Sequence, residues 1–193
     1  MERVAAALFC LDLVILLAFL VPHRGLPVLA RPLSDYGIGR TAGLFRLYVV
    51  TGSLAAPLLA WQVWWASAPA YPVVIPVYLL MVAVGRLGIG IFPNDAQGVP
   101  RTLRGTIHRT ATLLAFACTL LAVVEATPIL AATLQGPLQT VLIALKHLVS
   151  AGFVAVMVSV STPLRRVFGI TERVFLVAAA LWFLTASLAL PPL

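Results

Sequence analysis

An all-α membrane bundle is the fold class this sequence predicts, and three observations predict it. The 193 residues are 62% hydrophobic and 10% charged, with a mean hydropathy of +1.06, which leaves too little polar surface to cover a water-soluble globule. The apolar residues gather into six runs at residues 4–22, 43–66, 71–92, 106–127, 137–162 and 172–190, each near the roughly 20 residues that a helix needs to cross a bilayer. Most of the 13 basic residues fall in the connections after the first, third and fifth runs, the segregation expected where those connections face the cytoplasm. The expectation is one domain over residues 1–193. It is a six-transmembrane-helix bundle with both termini on the non-cytoplasmic side, multi-pass in a cell membrane such as the bacterial inner membrane.

The first run has only Glu2 and Arg3 between it and Met1, and Val21-Pro22-His23-Arg24 follows in place of a small-residue cleavage site. It therefore reads as an uncleaved helix. The connection Gly25 to Arg40 is too apolar for a free loop, and Pro27, Pro32, Gly37 and Gly39 prevent a long helix. It is expected to fold back over the inner mouth of the bundle, bringing Ser34, Asp35 and Tyr36 with it. Thr41 marks the start of the second run, whose Trp61, Trp64 and Trp65 read as an interfacial belt. Pro69 and Pro72 punctuate a short outer turn at Ser67 to Ala70. In the third run Arg86 lies close enough to the inner end to snorkel toward that surface.

The next connection carries Phe92, Asn94 and Asp95 to the same mouth. Thr106 reads as the start of the fourth run, with His108 less than one turn inside and Glu125 near the outer interface. Pro128 to Gly136 reads as a minimal outer turn, and Lys146 and His147 fall mid-membrane in the fifth run. Thr171 opens the sixth, where Glu172 suits the helix dipole and Arg173 a headgroup anchor.

The basic connections hold Arg24, Arg31, Arg40 and Arg46, then Arg101, Arg104 and Arg109, then Arg165, Arg166 and Arg173. A formal charge of +7 does not point to nucleic acid here, because these arginines flank apolar runs rather than clustering with exposed aromatics. Membrane lipids are the expected partners.

Four short motifs stand in order over essentially the whole chain: L-S-D-Y-G-x-G-R before the second run, G-I-F-P-N-D closing the third, G-x-I-H opening the fourth and T-E-R before the sixth. Together they resemble the bacterial and archaeal membrane family known as domain of unknown function 998. The resemblance implies a small helical membrane bundle and names no reaction.

The residues themselves suggest chemistry at the inner mouth. Asp35 and Asp95 are the candidate acids and His108 the candidate proton exchanger, since a histidine beside a carboxylate suits general acid–base work. Tyr36, Arg40, Tyr48, Arg86, Phe92, Asn94, Arg109 and Arg173 are the candidate substrate-binding residues, and with Phe45 the aromatics make the mouth π-rich. The plainer reading of the same residues is turn capping by Asp35 and Asp95 and headgroup contacts by the rest. Deeper in the membrane, Asp12 is expected to pair with Lys146 or His147, which sit at similar depth.

No cofactor is expected. A haem between His108 and His147 is disfavoured by an axial offset of roughly 12 Å, while a divalent metal at the mouth stays open. Cys10 and Cys118 have no C-x-x-C partner and read as small hydrophobes. Two functions follow. One is an enzyme acting on a lipid-like amphiphile, isoprenoids included, by carboxylate acid–base chemistry, through proton-initiated cyclisation or isomerisation, or hydrolysis. The other is a non-catalytic membrane module or small transporter using the same polar residues structurally.

Overall fold

Six α-helices account for most of the described residues, because each apolar run satisfies its backbone hydrogen bonds internally, as a segment without access to water must. The computed structural model describes residues 2–20, 30–66, 72–95, 100–161 and 163–190. The helices are α1 (Glu2–Ala18), α2 (Ala42–Ala66), α3 (Val74–Ile91), α4 (Leu103–Thr133), α5 (Pro137–Ser161) and α6 (Phe168–Ala189), and there is no strand among the described residues. Five of them, α2 to α6, are long and apolar enough to cross a membrane. The chain is thus a multi-pass, all-helical membrane protein. Each helix packs on its neighbours in sequence and α6 returns against α1, closing a ring.

α1 ends at Ala18 and α3 begins at Val74, each a few residues inside its expected run, and three further boundaries differ from the sequence expectation. α4 begins at Leu103 rather than Thr106, because Thr102 is the N-cap and its Oγ1 accepts the Gly105 N–H at 3.1 Å. The expected outer turn at Pro128 is helical as far as Thr133. Proline removes one donor and does not end a helix whose other bonds persist. α6 begins at Phe168, so Thr171 and Glu172 lie inside its first turns rather than before them. His23, Arg24 and the Ser67 to Ala70 turn lie outside the described residues.

Small residues set how closely the helices approach. Gly85 of α3 lies against the Ala111 carbonyl and the Ala115 backbone of α4, and a Cβ there would fall 2.8 Å from that carbonyl oxygen. Ala111 and Ala115 stand four residues apart, the small-xxx-small spacing that lets membrane helices pack backbone to backbone. Towards the end of the bundle opposite the arginines, the interior is a continuous apolar cluster of Phe9, Leu59, Leu79, Val123, Leu130 and Phe183. Trp182 ties α6 to α4 there, its Nε1 donating to Thr127 Oγ1 at 3.0 Å. A second cluster, with Leu16, Phe19, Tyr36 and Tyr48, lies towards the arginine-bearing end. That end is hereafter the basic end.

Candidate functional site

The Gly25 to Arg40 connection does fold back on the bundle over its described part. Residues Leu33–Gly37 form a 3₁₀ turn, and Leu33 and Tyr36 are buried, with the Tyr36 ring 4.9 Å from that of Phe19. Two consecutive residues of α6 hold this strap. Glu172 Oε2 accepts the Leu33 N–H at 2.5 Å, and Arg173 Nη1 donates to the Arg31 carbonyl at 2.9 Å and to the Gly169 carbonyl at 2.8 Å. Asn94 Nδ2 adds a bond to Ser34 Oγ at 3.2 Å. Both Glu172 and Arg173 are therefore buried fastenings rather than a dipole partner and a headgroup anchor.

Beneath the strap lies an internal cavity of about 60 Å³. Its wall includes the polar side chains of Asp12, Ser34, Tyr48, Arg86, His108, Thr112, Thr119 and Glu172 and the rings of Phe9, Phe45, Phe116, Phe175 and Phe183, with aliphatic side chains between them. At about 1.5 Å per residue, Asp12, Arg86, His108 and Glu172 all fall roughly 6–9 Å inside the basic ends of their helices, so they occupy one layer.

Arg86 organises that layer. Its Nη2 lies 2.6 Å from Asp12 Oδ1 and donates to the Tyr48 carbonyl at 2.5 Å, while its guanidinium carbon stands 4.3 Å from the centre of the Tyr48 ring. Thr51 Oγ1 donates to the same Asp12 oxygen at 3.1 Å. Gly52 of α2 is what admits the guanidinium, since a Cβ at that position would collide with it. Two expectations are corrected here. Asp12 pairs with Arg86, not with Lys146 or His147, because α1 packs on α2 and α6 and not on α5; His147 is exposed. Arg86 turns inward rather than snorkelling, because a buried carboxylate and a carbonyl are better partners than a distant interface.

His108 is buried, with Nδ1 2.7 Å from the Phe92 carbonyl oxygen. A carbonyl only accepts, so in the neutral ring the proton sits on Nδ1 and Nε2 is the nitrogen that takes another. Asp95 is not in the cavity. Its Oδ2 accepts the Thr102 N–H at 3.0 Å and its Oδ1 the Thr102 hydroxyl at 2.7 Å, a second tier of capping for α4. These two bonds hold its carboxyl below the usual carboxylate range. Asp35 stands at the mouth but does not line the cavity; its Oδ2 lies 3.7 Å from Arg31 Nη1. Burial pushes its carboxyl above the usual range, against the opposing charges of Arg31, Arg173 and His108. Arg40 and Arg109 are exposed and line no part of the cavity. Among the described residues no three His, Cys, Asp or Glu side chains come together as a metal site.

A family model described as "Protein of unknown function (DUF998)" matches residues 4–189. The chain belongs to the DUF998 family. No match was found among curated proteins or among solved structures. In this DUF998 chain the matched region contains every cavity residue named above. The sequence pointed to Tyr48, Arg86 and His108, but it paired Asp12 wrongly and took Glu172 for a helix-end residue. An acidic residue deep in an apolar run was the available signal for Asp12; none in the sequence distinguishes Glu172 from an ordinary first-turn glutamate.

Proposed function

We propose that this protein is an integral membrane enzyme of six transmembrane helices, its basic end cytoplasmic and its termini on the other side. It takes the head of a lipid-like substrate from the inner leaflet into the cavity and acts on it by acid–base chemistry. One observation carries this reading: two carboxylates, an imidazole and an arginine face a single cavity whose remaining wall is mostly apolar, with five phenylalanine rings in it. Ionisable groups at membrane depth are costly and by default mark function.

The volume bears on the reaction. At about 60 Å³ the cavity is well below the roughly 300–1,000 Å³ of sites that engulf a whole ligand, which favours a small head with its chain outside over a polyene folded for cyclisation. Hydrolysis of a lipid ester or phosphate fits best. His108 takes a proton from the attacking water, Glu172 in its protonated form supplies one to the leaving oxygen, and Arg86, held in place by Asp12, steadies the negative charge that develops. The bundle interior towards the other end is largely apolar, which favours this reading over a polar transport path. A non-catalytic module draws its support from the 2.6 Å contact between Arg86 and Asp12, which gives each a partner without a substrate.

The test is to express the wild type, His108→Gln and Glu172→Gln at equal abundance and profile cellular lipids. The enzyme reading expects a headgroup change that the wild type causes and both variants abolish. Identical profiles for all three, at equal abundance, would overturn it in favour of the structural module.

A further inference from the structure

Where α5 meets α6, the outer flank of the bundle carries a groove of about 550 Å³, separate from the internal cavity. Ala151, Val154, Ala155 and Val158 of α5 form its floor, and Leu164 and Val167 close it at the basic end. The hydroxyls in its wall are already engaged: Ser150 with the Lys146 carbonyl, Ser159 with that of Val156 and Thr171 with that of Phe168, each at 2.9 Å. An occupant therefore meets apolar surface. From Ser150 to Ser159 the groove rises by about 14 Å at about 1.5 Å per residue, close to half of a hydrocarbon core of about 30 Å. It is as long as one leaflet.

Two exposed arginines, Arg165 and Arg166, stand at its basic end, and Arg165 is held there by its Nε donating to the Val160 carbonyl at 3.2 Å. No acidic residue occurs between Glu125 and Glu172 in the sequence, so nothing local on this flank neutralises them. We propose that the groove is a binding site for an anionic phospholipid of the adjacent leaflet, one acyl chain lying along α5 and the phosphate on Arg165 and Arg166. An apolar channel one leaflet long that ends in unneutralised positive charge matches that molecule's two halves. A second copy of the chain packed here would instead bring like charges together, because both copies carry the arginines at the same membrane face. The site is independent of the chemistry assigned to the internal cavity.

The test uses the full chain in nanodiscs of equal phosphatidylglycerol and phosphatidylcholine, with retained lipid read by native mass spectrometry after release into detergent. The expected result is an about ten-fold preference for phosphatidylglycerol. Arg165→Gln with Arg166→Gln brings that preference close to unity, and Ala151→Phe with Ala155→Phe lowers retention of both lipids. Circular dichroism of each variant reports that the helices persist. Retention without headgroup preference, or retention that neither pair of substitutions alters, overturns the proposal. So does a dimer that Ala151→Phe with Ala155→Phe converts to monomer, which assigns the groove to a second copy.

Discussion

Arg86 of α3 and Asp12 of α1 meet at 2.6 Å in the interior of the bundle, although their helices are separated in the ring by α2. The guanidinium reaches across α2 at Gly52, so one ion pair couples three helices. Removing one partner of a buried pair leaves an uncompensated charge and costs about 3–5 kcal/mol, whereas replacing both by apolar groups is often near neutral. Arg86→Met should therefore lower thermal stability in detergent sharply, and Asp12→Leu in the same chain should restore most of the loss. A double variant no more stable than Arg86→Met alone counts against the pair as the source.

Gly52→Ala tests the passage itself. The added methyl group overlaps the Arg86 guanidinium, and overpacking of this kind costs typically about 1–3 kcal/mol. The same substitution made together with Arg86→Met should cost much less, because the colliding group is gone. Thermal unfolding of the four chains measures the coupling.

The strap over the cavity should loosen in Glu172→Ala, which removes the acceptor of the Leu33 N–H. Leaving a buried donor unsatisfied costs about 1–3 kcal/mol, so amide exchange at Leu33 should quicken by roughly 5- to 100-fold while exchange in the Leu59 region of α2 stays unchanged. Hydrogen exchange resolved to these peptides reads the result.

Acid should weaken the start of α4. The Asp95 carboxyl titrates below its ordinary range because Thr102 bonds its charged form. Its contribution is therefore present at neutral pH and is lost as pH falls through the carboxylate range, below about pH 4. Asp95→Ala should destabilise at pH 7 and make little difference once the carboxyl is protonated. Melting curves of both chains across pH give the comparison.

Asp35 carries the opposite sign. Burial raises its pKa, so the fold favours its protonated form, and that contribution fades as pH rises through the raised value. Asp35→Asn should be neutral in acid and slightly stabilising at pH 8. A lower melting temperature for Asp35→Asn at pH 8 would show that the Arg31 contact outweighs burial.

The sequence located the polar residues along the chain better than it located their partners. Arg86 and His108 were identified as site residues because ionisable groups in or beside apolar runs are conspicuous. The orientation of Arg86 was not legible, since an arginine near a helix end has the length to reach either an interface or a neighbour. Asp95 and Glu172 show the same ambiguity from the other side. Asp95 reads as a candidate acid or a turn cap and Glu172 as a first-turn carboxylate, yet Asp95 caps α4 at the surface while Glu172 holds a backbone amide 139 residues away. Local spacing cannot tell these apart, because the difference lies in what packs against them.

By itself, then, the sequence determined the solvent of this protein, its helices and the end of the bundle at which its charges gather, because those follow from hydrophobic run length and from which residues water must solvate. The tertiary structure alone decided that Asp12 belongs to Arg86 and that Glu172 and Arg173 fasten the strap. Those facts depend on the order of helices around the ring and on one missing side chain at Gly52, and neither is written in any local stretch of residues.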